Sequence, residues 1–327
     1  MKRLFIVASM AIMAVGCQKT TVENEVLTPI GFNTEVSKLT RATVAYEGTE
    51  FGVFSYANQN GALLNRPMEN VKIENVAEIG SPAVWKNKTT SYYWPNDANT
   101  TLDFYAYSPF MAKEGETEKI THTKETGFQM SDYTHNMSTD FMVSDAVVAQ
   151  KYNEEKKGVV DLVFNHQMAK VQFKVVAEAL ADVTFDVTSI TLNNIAKVAD
   201  YIEIPTSGNK WSVDSNWGSA LDATPAGFEL TLTGDAGKET STPVTVIPES
   251  LTGKTFTVKY TIRGTGVAKE DVVKTLPLAY AVVKAPVTEW VANKSITYTL
   301  TVGLKQITFA PVVEDWEPVN ADSIDIN

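Results

Sequence analysis

Residues 28–42 read TPIGFNTEVSKLTRA, and this stretch decides the fold. One side of the extended chain would carry its apolar residues Ile30, Phe32 and Val36. This period of two, carried by β-branched and aromatic side chains, predicts a half-buried β-strand. A polar segment ending in Arg41 and Ala42 separates this strand from the next apolar pattern. We interpret the strand as a removable part of the fold, joined to the rest by a short hinge with an exposed arginine.

From Thr43 onward the sequence reads as short strands separated by turn residues. SITYTLTV at 295–302, for example, places apolar residues on one face and threonines on the other. Short strands, frequent turns and few helical periods predict an all-β protein with two antiparallel β-sandwich domains in tandem. The charge run KYNEEKKG at 151–158 is taken as their boundary, which gives domains at 28–157 and 158–327. Two polar stretches, 65–70 and 111–126, are predicted to be loops.

Charge and cysteine content exclude several classes of partner and bond. The 327 residues carry a net charge of −11, which becomes −13 once the two basic residues Lys2 and Arg3 of the first 16 positions are left out. Strong acidity argues against nucleic acid and anionic membrane surfaces as partners. Because Cys17 is the single cysteine, no intrachain disulfide can form.

The first 16 residues have the pattern of a secretory signal. Lys2 and Arg3 precede the apolar run LFIVASMAIMAV, which is too short to span a membrane comfortably. The sequence AVGC that ends at Cys17 resembles the lipobox of bacterial lipoproteins, in which the cysteine becomes the acylated N-terminus. Several acyl chains, such as palmitate, anchor a protein firmly. The alternative is a plain signal peptide with a chance cysteine. Residues 17–27 are predicted to be a tether.

No catalytic, cofactor-binding or metal site is predicted. His122, His135 and His166 lack metal-ligand spacing, and none of the common nucleotide-binding or hydrolase motifs occurs. His166 is interpreted as a structural hydrogen-bonding residue that precedes a strand. We therefore expect a protein that is not an enzyme, with a secreted hydrolase as a minor alternative. A stronger alternative is a surface glycan-binding lipoprotein that stacks sugars on aromatic rings, for which the candidates are Trp85, Tyr93 and Trp94. At strand spacing, however, such aromatic residues more often fill a core or form cross-strand pairs.

Several motifs together resemble a known family. They are the lipobox, the sequence TRA after the first strand, FNHQMAKVQFKV at 164–175, SITYTLTVGL at 295–304 and the closing ITFAPVVEDWEP. The chain is similar in these respects to the fimbrillins of the Mfa-like group, which are subunits of type V pili in Gram-negative anaerobes.

This resemblance implies a route from export to assembly. The chain would travel through the periplasm as a lipoprotein to the outer membrane, held by lipid on Cys17. An arginine-specific surface protease would cut between Arg41 and Ala42, leaving two transthyretin-like sandwiches with an open groove. A strand of a neighbouring pilus subunit would fill that groove, and head-to-tail repetition would build the fimbrium as a homo- or heteropolymer. Within residues 306–316, the candidate donor side chains are Ile307, Phe309, Val313 and Trp316.

Two alternatives stay open at this stage. The last strand is either donated to a neighbour or completes its own sandwich, and Pro311 restricts it to an edge position because proline lacks an N–H donor. The chain could serve as a shaft, tip or anchor subunit.

Overall fold

A computed structural model describes residues 27–37, 43–78, 81–115, 117, 119–177, 180, 182–204, 208–213, 218–221, 230–233, 238–279, 286–304 and 307–316. Throughout these ranges the chain forms strands and turns and contains no helix, which confirms the predicted all-β class. A helix long and apolar enough to cross a membrane is accordingly absent from them.

The first sheet contains nine strands. They are β1 (Gly31–Ser37), β2 (Thr43–Ala45), β3 (Glu50–Gln59), β4 (Ala62–Asn75), β5 (Trp85–Lys86), β6 (Thr100–Ser108), β9 (Met142–Ser144), β10 (Val147–Gln150) and β11 (Val159–His166). Their order is β10-β6-β3-β4-β5-β1-β11-β9, with β2 beside β1. Because β9 also pairs with β6, the sheet curves back on itself around an apolar core.

Two further sheets pack against each other in the C-terminal half. One contains β12 (Ala169–Ala177), β18 (Lys238–Thr240), β19 (Val244–Val246), β22 (Lys294–Val302) and β23 (Ile307–Asp315). The other contains β13 (Val183–Ala196), β16 (Gly218–Leu221), β17 (Leu230–Thr233), β20 (Thr255–Gly264) and β21 (Val267–Pro277). Alternate side chains of both sheets meet in a shared apolar core, the arrangement of a β-sandwich.

A fourth sheet joins the two halves of the chain. It has the order β15-β14-β8-β7, with β7 (Ile120–Thr123) and β8 (Gly127–Thr134) from the first half and β14 (Val198–Ile204) and β15 (Gly208–Ser212) from the second. Its side chains form a third core with β3, β6 and Trp316. The two halves therefore share a sheet and a core, and do not meet only through a linker.

Two strand pairs are parallel within these otherwise antiparallel sheets. They are β1 with β11 and β12 with β22. Each joins segments more than a hundred residues apart, so neither needs the tight turn that only antiparallel neighbours allow. The first pair also crosses the predicted boundary at 157/158, since β11 belongs to the sheet of the N-terminal half.

Both predicted loops were wrong in part. Residues 65–70 lie within β4, whose outer edge is unpaired over most of its described length and so tolerates Pro67 and charged residues. Residues 111–126 contain β7, in which Ile120 and His122 are buried. Two buried residues at alternate positions are enough to form a half-buried strand there, because a four-residue strand presents only two side chains to the core.

Candidate functional site: the first strand and the last strand

Strand β1 lies inside the first sheet, between β11 on one side and β5 and β2 on the other. Its pairing with β11 is parallel and runs from Gly31 opposite Val159 to Val36 opposite Phe164. On the other side, Phe32 pairs with Trp85, and residues 35–37 pair with β2. We call β11, β5 and β2 together the first-strand seat.

The apolar side chains of this stretch fill the core of the first sheet. Ile30, Phe32 and Val36 are 6%, 3% and 5% exposed. The ring of Phe32 makes edge-on contacts with Phe51 and Phe104, at centroid distances of 6.0 and 5.9 Å. The predicted strand and its buried face are confirmed. The removal of this strand stays a prediction.

The opposite face of β1 is held by exposed polar contacts. The side-chain amide of Asn33 donates to Asp161 Oδ1 at 3.0 Å, and Lys156 Nζ lies 2.7 Å from Asp161 Oδ2. The ammonium of Lys156 keeps the pKa of Asp161 below its ordinary value. Exposed ion pairs contribute little to stability, so the core face of β1 dominates its attachment.

The entry to β1 is fixed by backbone bonds and one glycine. Ile30 N donates to Tyr92 O at 2.8 Å, and Trp94 N donates to Thr28 O at 3.0 Å. The indole N–H of Trp94 donates to Gly158 O at 2.9 Å. Gly158 has a φ of +77°, and a Cβ there would lie 2.9 Å from Trp94 Nε1 and 3.0 Å from Pro29 O. Only glycine can occupy position 158 without strain.

The outer side of the seat is incompletely closed. In the described part of the chain, β5 pairs with β1 at one position and β2 pairs at three. A cleft of about 610 Å³ lies between them, bordered by Asn33, Thr34, Glu35 and Trp85. This gap exposes the middle of β1 at its least paired point.

Arg41, Ala42 and Cys17 lie outside the described residues, so their predicted roles stay predictions. The neighbours of Arg41 are described: Ser37, at the end of β1, pairs with Thr43, at the start of β2. Residues 38–42 therefore connect two antiparallel neighbours, and a cut behind Arg41 would leave β2 on the main chain and β1 on the fragment.

The last strand lies in its own half of the chain. β23 pairs antiparallel with β22 through nine residue pairs, from Lys294 with Asp315 to Val302 with Ile307. It ends the order β18-β12-β22-β23, so Pro311 is at a sheet edge, as predicted. Of the candidate donor residues, Ile307 is partly buried, Val313 is 47% exposed and Trp316 is 6% exposed. The side chain of Phe309 is outside the described set.

Two of the three rings of the alternative sugar platform are buried. Trp85 and Trp94 are 5% and 4% exposed and belong to the first core, whereas Tyr93 is 45% exposed. A buried indole cannot stack on a sugar ring, so Trp85 and Trp94 serve the core and do not form the platform of the alternative hypothesis.

The three histidines are buried between other side chains. His122 lies 2.9 Å from the hydroxyl of Tyr56, and burial lowers its pKa to about 3. Burial also lowers the pKa of His135, which contacts the carbonyl of Thr245. His166 ends β11, and its Nδ1 lies 2.6 Å from Asp140 Oδ2. It is hydrogen-bonded as predicted, although it ends a strand rather than only preceding one. No set of three or more His, Cys, Asp or Glu side chains in the described ranges could hold a metal ion.

Several contacts of the site were not predicted from the sequence. Gly158 closes the charge run at 151–158, and its position before an apolar strand was a usable turn signal. Trp85 stands opposite Phe32, and Asp140 and Trp316 hold His166. These contacts join distant segments, and no local pattern reports them.

Comparisons with known proteins agree with this architecture. A family model described as fimbrillin-like matches residues 40–316, a range that begins beyond the end of β1. A cell adhesion protein of Bacteroides uniformis has a similar solved structure, with 19% identity, 89% of this chain and 100% of that chain covered, and a TM-score of 0.54. A fimbrial protein of Bacteroides vulgatus matches with 18% identity, coverage of 88% and 99%, and a TM-score of 0.54. At such identities the likeness shows the fold. Among curated proteins there is no match.

Proposed function

The chain belongs to the fimbrillin-like family, and we propose that it is a fimbrial subunit that polymerises by strand exchange after cleavage behind Arg41. Family membership implies a place in a cell-surface fimbrium and assembly with other pilus subunits. The finer proposal is supported by one observation above all: a stretch with three buried apolar residues, Ile30, Phe32 and Val36, leads through β1 to the short connection that contains Arg41.

The physical driving force is the groove that β1 would leave. An open sheet edge is a template for another strand, and an added strand gains backbone bonds and side-chain pockets together. Refilling the places of Ile30, Phe32 and Val36 is worth roughly 5–9 kcal/mol, at about 1.5–3 kcal/mol for each buried side chain. That gain must exceed the cost of bringing two subunits together.

Before the cut, the chain would protect itself from assembly. β1 is tethered beside its own seat, and a short tether gives an effective concentration on the order of millimolar. A strand from another molecule competes poorly with β1 at that effective concentration. Cleavage behind Arg41 removes the tether, so β1 can leave and a partner strand can enter through the gap beside Asn33 and Trp85.

The incoming strand is proposed to be the last strand of a neighbouring subunit. β23 is an edge strand, and its donor face would carry Ile307, Phe309 and Val313. Donation from the end of one molecule to the front of the next is a head-to-tail contact that does not close, which yields a filament. The neighbour could be a second copy of this chain or another subunit.

Export and anchoring complete the proposal. The signal-like residues 1–16 would direct secretion, Cys17 would carry lipid, and the precursor would reach the outer membrane before a surface arginine-specific protease cuts it. Assembly of this kind needs no catalytic residue and no cofactor in the chain itself.

The experiment is limited digestion of the folded chain with an arginine-specific protease, because trypsin would also cut after Lys38 in the same connection. We expect N-terminal sequencing to find Ala42 as the new first residue, and native gels then to show a ladder of polymers. Arg41→Ala should abolish both results. Arg263→Ala is the matched control, because it removes another exposed arginine that is not followed by proline and should leave both results intact.

A chain that is cut at Arg41, loses β1 and yet stays monomeric at high concentration, alone and with other fimbrial subunits, would contradict strand exchange. A ladder formed equally by Arg41→Ala would show that polymerisation does not need this cut.

A further inference from the structure

Strand β11 extends beyond the residues that pair with β1 and ends at a buried histidine. Its inward row of side chains consists of Val160, Leu162, Phe164 and His166. Phe164 pairs with Val36, at the end of β1, and His166 is the next inward residue. The imidazole of His166 therefore lies just beyond the end of the pairing between β1 and β11.

Trp316, directly after β23, covers this histidine. The two rings are parallel to within 4°, with centroids 4.1 Å apart. The backbone N–H of Trp316 donates to Asn293 O at 3.1 Å, and Lys170 Nζ lies 5.5 Å from the indole centroid. The end of the last strand is thus held against the strand that carries β1.

Asp140 fixes the histidine from the other side. Its Oδ2 lies 2.6 Å from His166 Nδ1, while Asp140 Oδ1 and His166 Nε2 are buried without a hydrogen-bond partner among the described residues. The imidazole is held between the Asp140 carboxylate and the indole of Trp316.

The first and last strands also border the same cavity. A cleft of about 560 Å³ is lined by Val36, Asp140, His166 and Trp316, among others. Removal of β1 would take Val36 out of its wall. It would also leave residues 159–163 of β11 without their described strand partner, whereas the pairing of His166 with Met142 of β9 would remain.

The rest of β23 is held less firmly than its end. It pairs on one side with β22, and Val312 and Val313 are 50% and 47% exposed. Pro311 has no N–H to donate. Ile307 packs on the C-terminal core at the start of the strand and Lys294 pairs with Asp315 near its end, and the buried indole of Trp316 then fixes the end against His166.

We propose that the stack of Trp316 on His166 is an autoinhibitory latch, which keeps β23 in its own sheet until β1 leaves the seat. The inference rests on the proposed function. Departure of β1 loosens the neighbourhood of His166, the stack weakens, and β23 becomes available for donation. A subunit would then become a donor only after it had become an acceptor.

Hydrogen exchange of the folded full-length chain, read by mass spectrometry, tests the latch. Removal of β1 after cleavage should speed exchange across residues 307–316 by roughly tenfold, the factor expected for loss of one aromatic contact. His166→Ala should produce a similar increase in the uncut chain and little further increase after cleavage. His166→Phe is the matched control, because it keeps a stacking ring. Amides of β3 report whether each variant is folded.

The outcomes separate the latch from the proposed function. If β1 leaves and exchange in residues 307–316 does not change, the latch is wrong and strand exchange still stands. If β1 stays bound after the cut, the proposed function fails, and the coupling fails with it. If His166→Ala leaves exchange in the uncut chain at the wild-type rate, the stack does not hold β23, whatever happens to β1.

Discussion

The ring of Phe32 meets the ring of Phe104 edge-on, with centroids 5.9 Å apart and planes at 84°. Phe104 is fully buried on β6, across the sheet core from β1. Edge-on aromatic pairs add stabilisation beyond the area they bury. The first strand is therefore part of the core of the uncut protein, and its loss would expose an apolar groove.

Truncation of this ring should be costly in the uncut chain. We expect Phe32→Ala to lower the free energy of unfolding by about 3–5 kcal/mol, the usual loss for a buried phenylalanine. Asn33→Ala, one residue away on the exposed face, should change it by about 0.5 kcal/mol or less. Urea unfolding measures both. Equal losses for the two variants would mean that β1 contributes little through its core face.

Gly158 and Gly253 are a matched pair of glycines that tests how tightly the chain packs where Gly158 meets Trp94 and Pro29. Their φ values are +77° and +74°, but a Cβ would touch Trp94 and Pro29 only at Gly158. Gly253→Ala should therefore cost about 1 kcal/mol from the backbone alone. Gly158→Ala should cost about 2–4 kcal/mol because overpacking is added. Thermal unfolding of both variants checks this, and similar midpoints would contradict tight packing around Gly158.

Acid should destabilise the protein through His122. Burial lowers the pKa of this side chain to about 3, while an unfolded chain has a histidine pKa near 6.5. Between these values the unfolded state binds more protons, so stability falls as pH falls from about 6.5 towards 3.

The comparison that isolates this effect is His122→Gln, which removes the titrating group. Its urea midpoint should fall less steeply than that of the wild type between pH 6.5 and 5, above the range in which ordinary carboxylates titrate. Parallel curves for the two proteins would show that His122 does not keep a lowered pKa.

A substitution at Val313 distinguishes the two possible roles of the last strand, which are donation to a neighbour and completion of its own sheet. Because this side chain is 47% exposed, Val313→Lys should change the stability of the uncut chain by about 0.5 kcal/mol or less. If β23 is donated, a lysine would enter an apolar pocket of the neighbour, and the cut variant should fail to form ladders. Thr301→Lys, at a partly exposed position on the adjacent strand, is the control. Normal ladders from Val313→Lys would indicate that β23 stays in its own sheet.

Local pattern was sufficient for the first strand and insufficient for its surroundings. The alternation of Ile30, Phe32 and Val36 predicts both the strand and its buried face, because one side of a pleated chain must face the core. Pro311 likewise predicts an edge. The pairing of β1 with β11 depends on tertiary packing between residues more than a hundred positions apart, and no spacing in the sequence encodes it.

The same limit explains the misassigned loops and the choice left open between core and sugar platform. β4 carries Arg66, Pro67 and Glu69 because its outer edge faces solvent, so its composition resembles that of a loop. Trp85 and Trp94 look like a sugar platform because aromatic side chains serve cores and ligands equally well. The contact of His166 with Trp316 joins two segments of separate motifs, and only the folded chain brings them together.

The departure of β1 is tested most directly by locking it in place. Glu35 and Ala45 are exposed partners on β1 and β2, and antiparallel partners lie within disulfide reach. In a Cys17→Ser background, the double variant Glu35→Cys, Ala45→Cys would hold β1 on the main chain after a cut behind Arg41. We predict that the cut, oxidised protein stays monomeric and that reductant releases β1 and starts polymerisation. Ladders from the oxidised protein would contradict strand exchange at this seat.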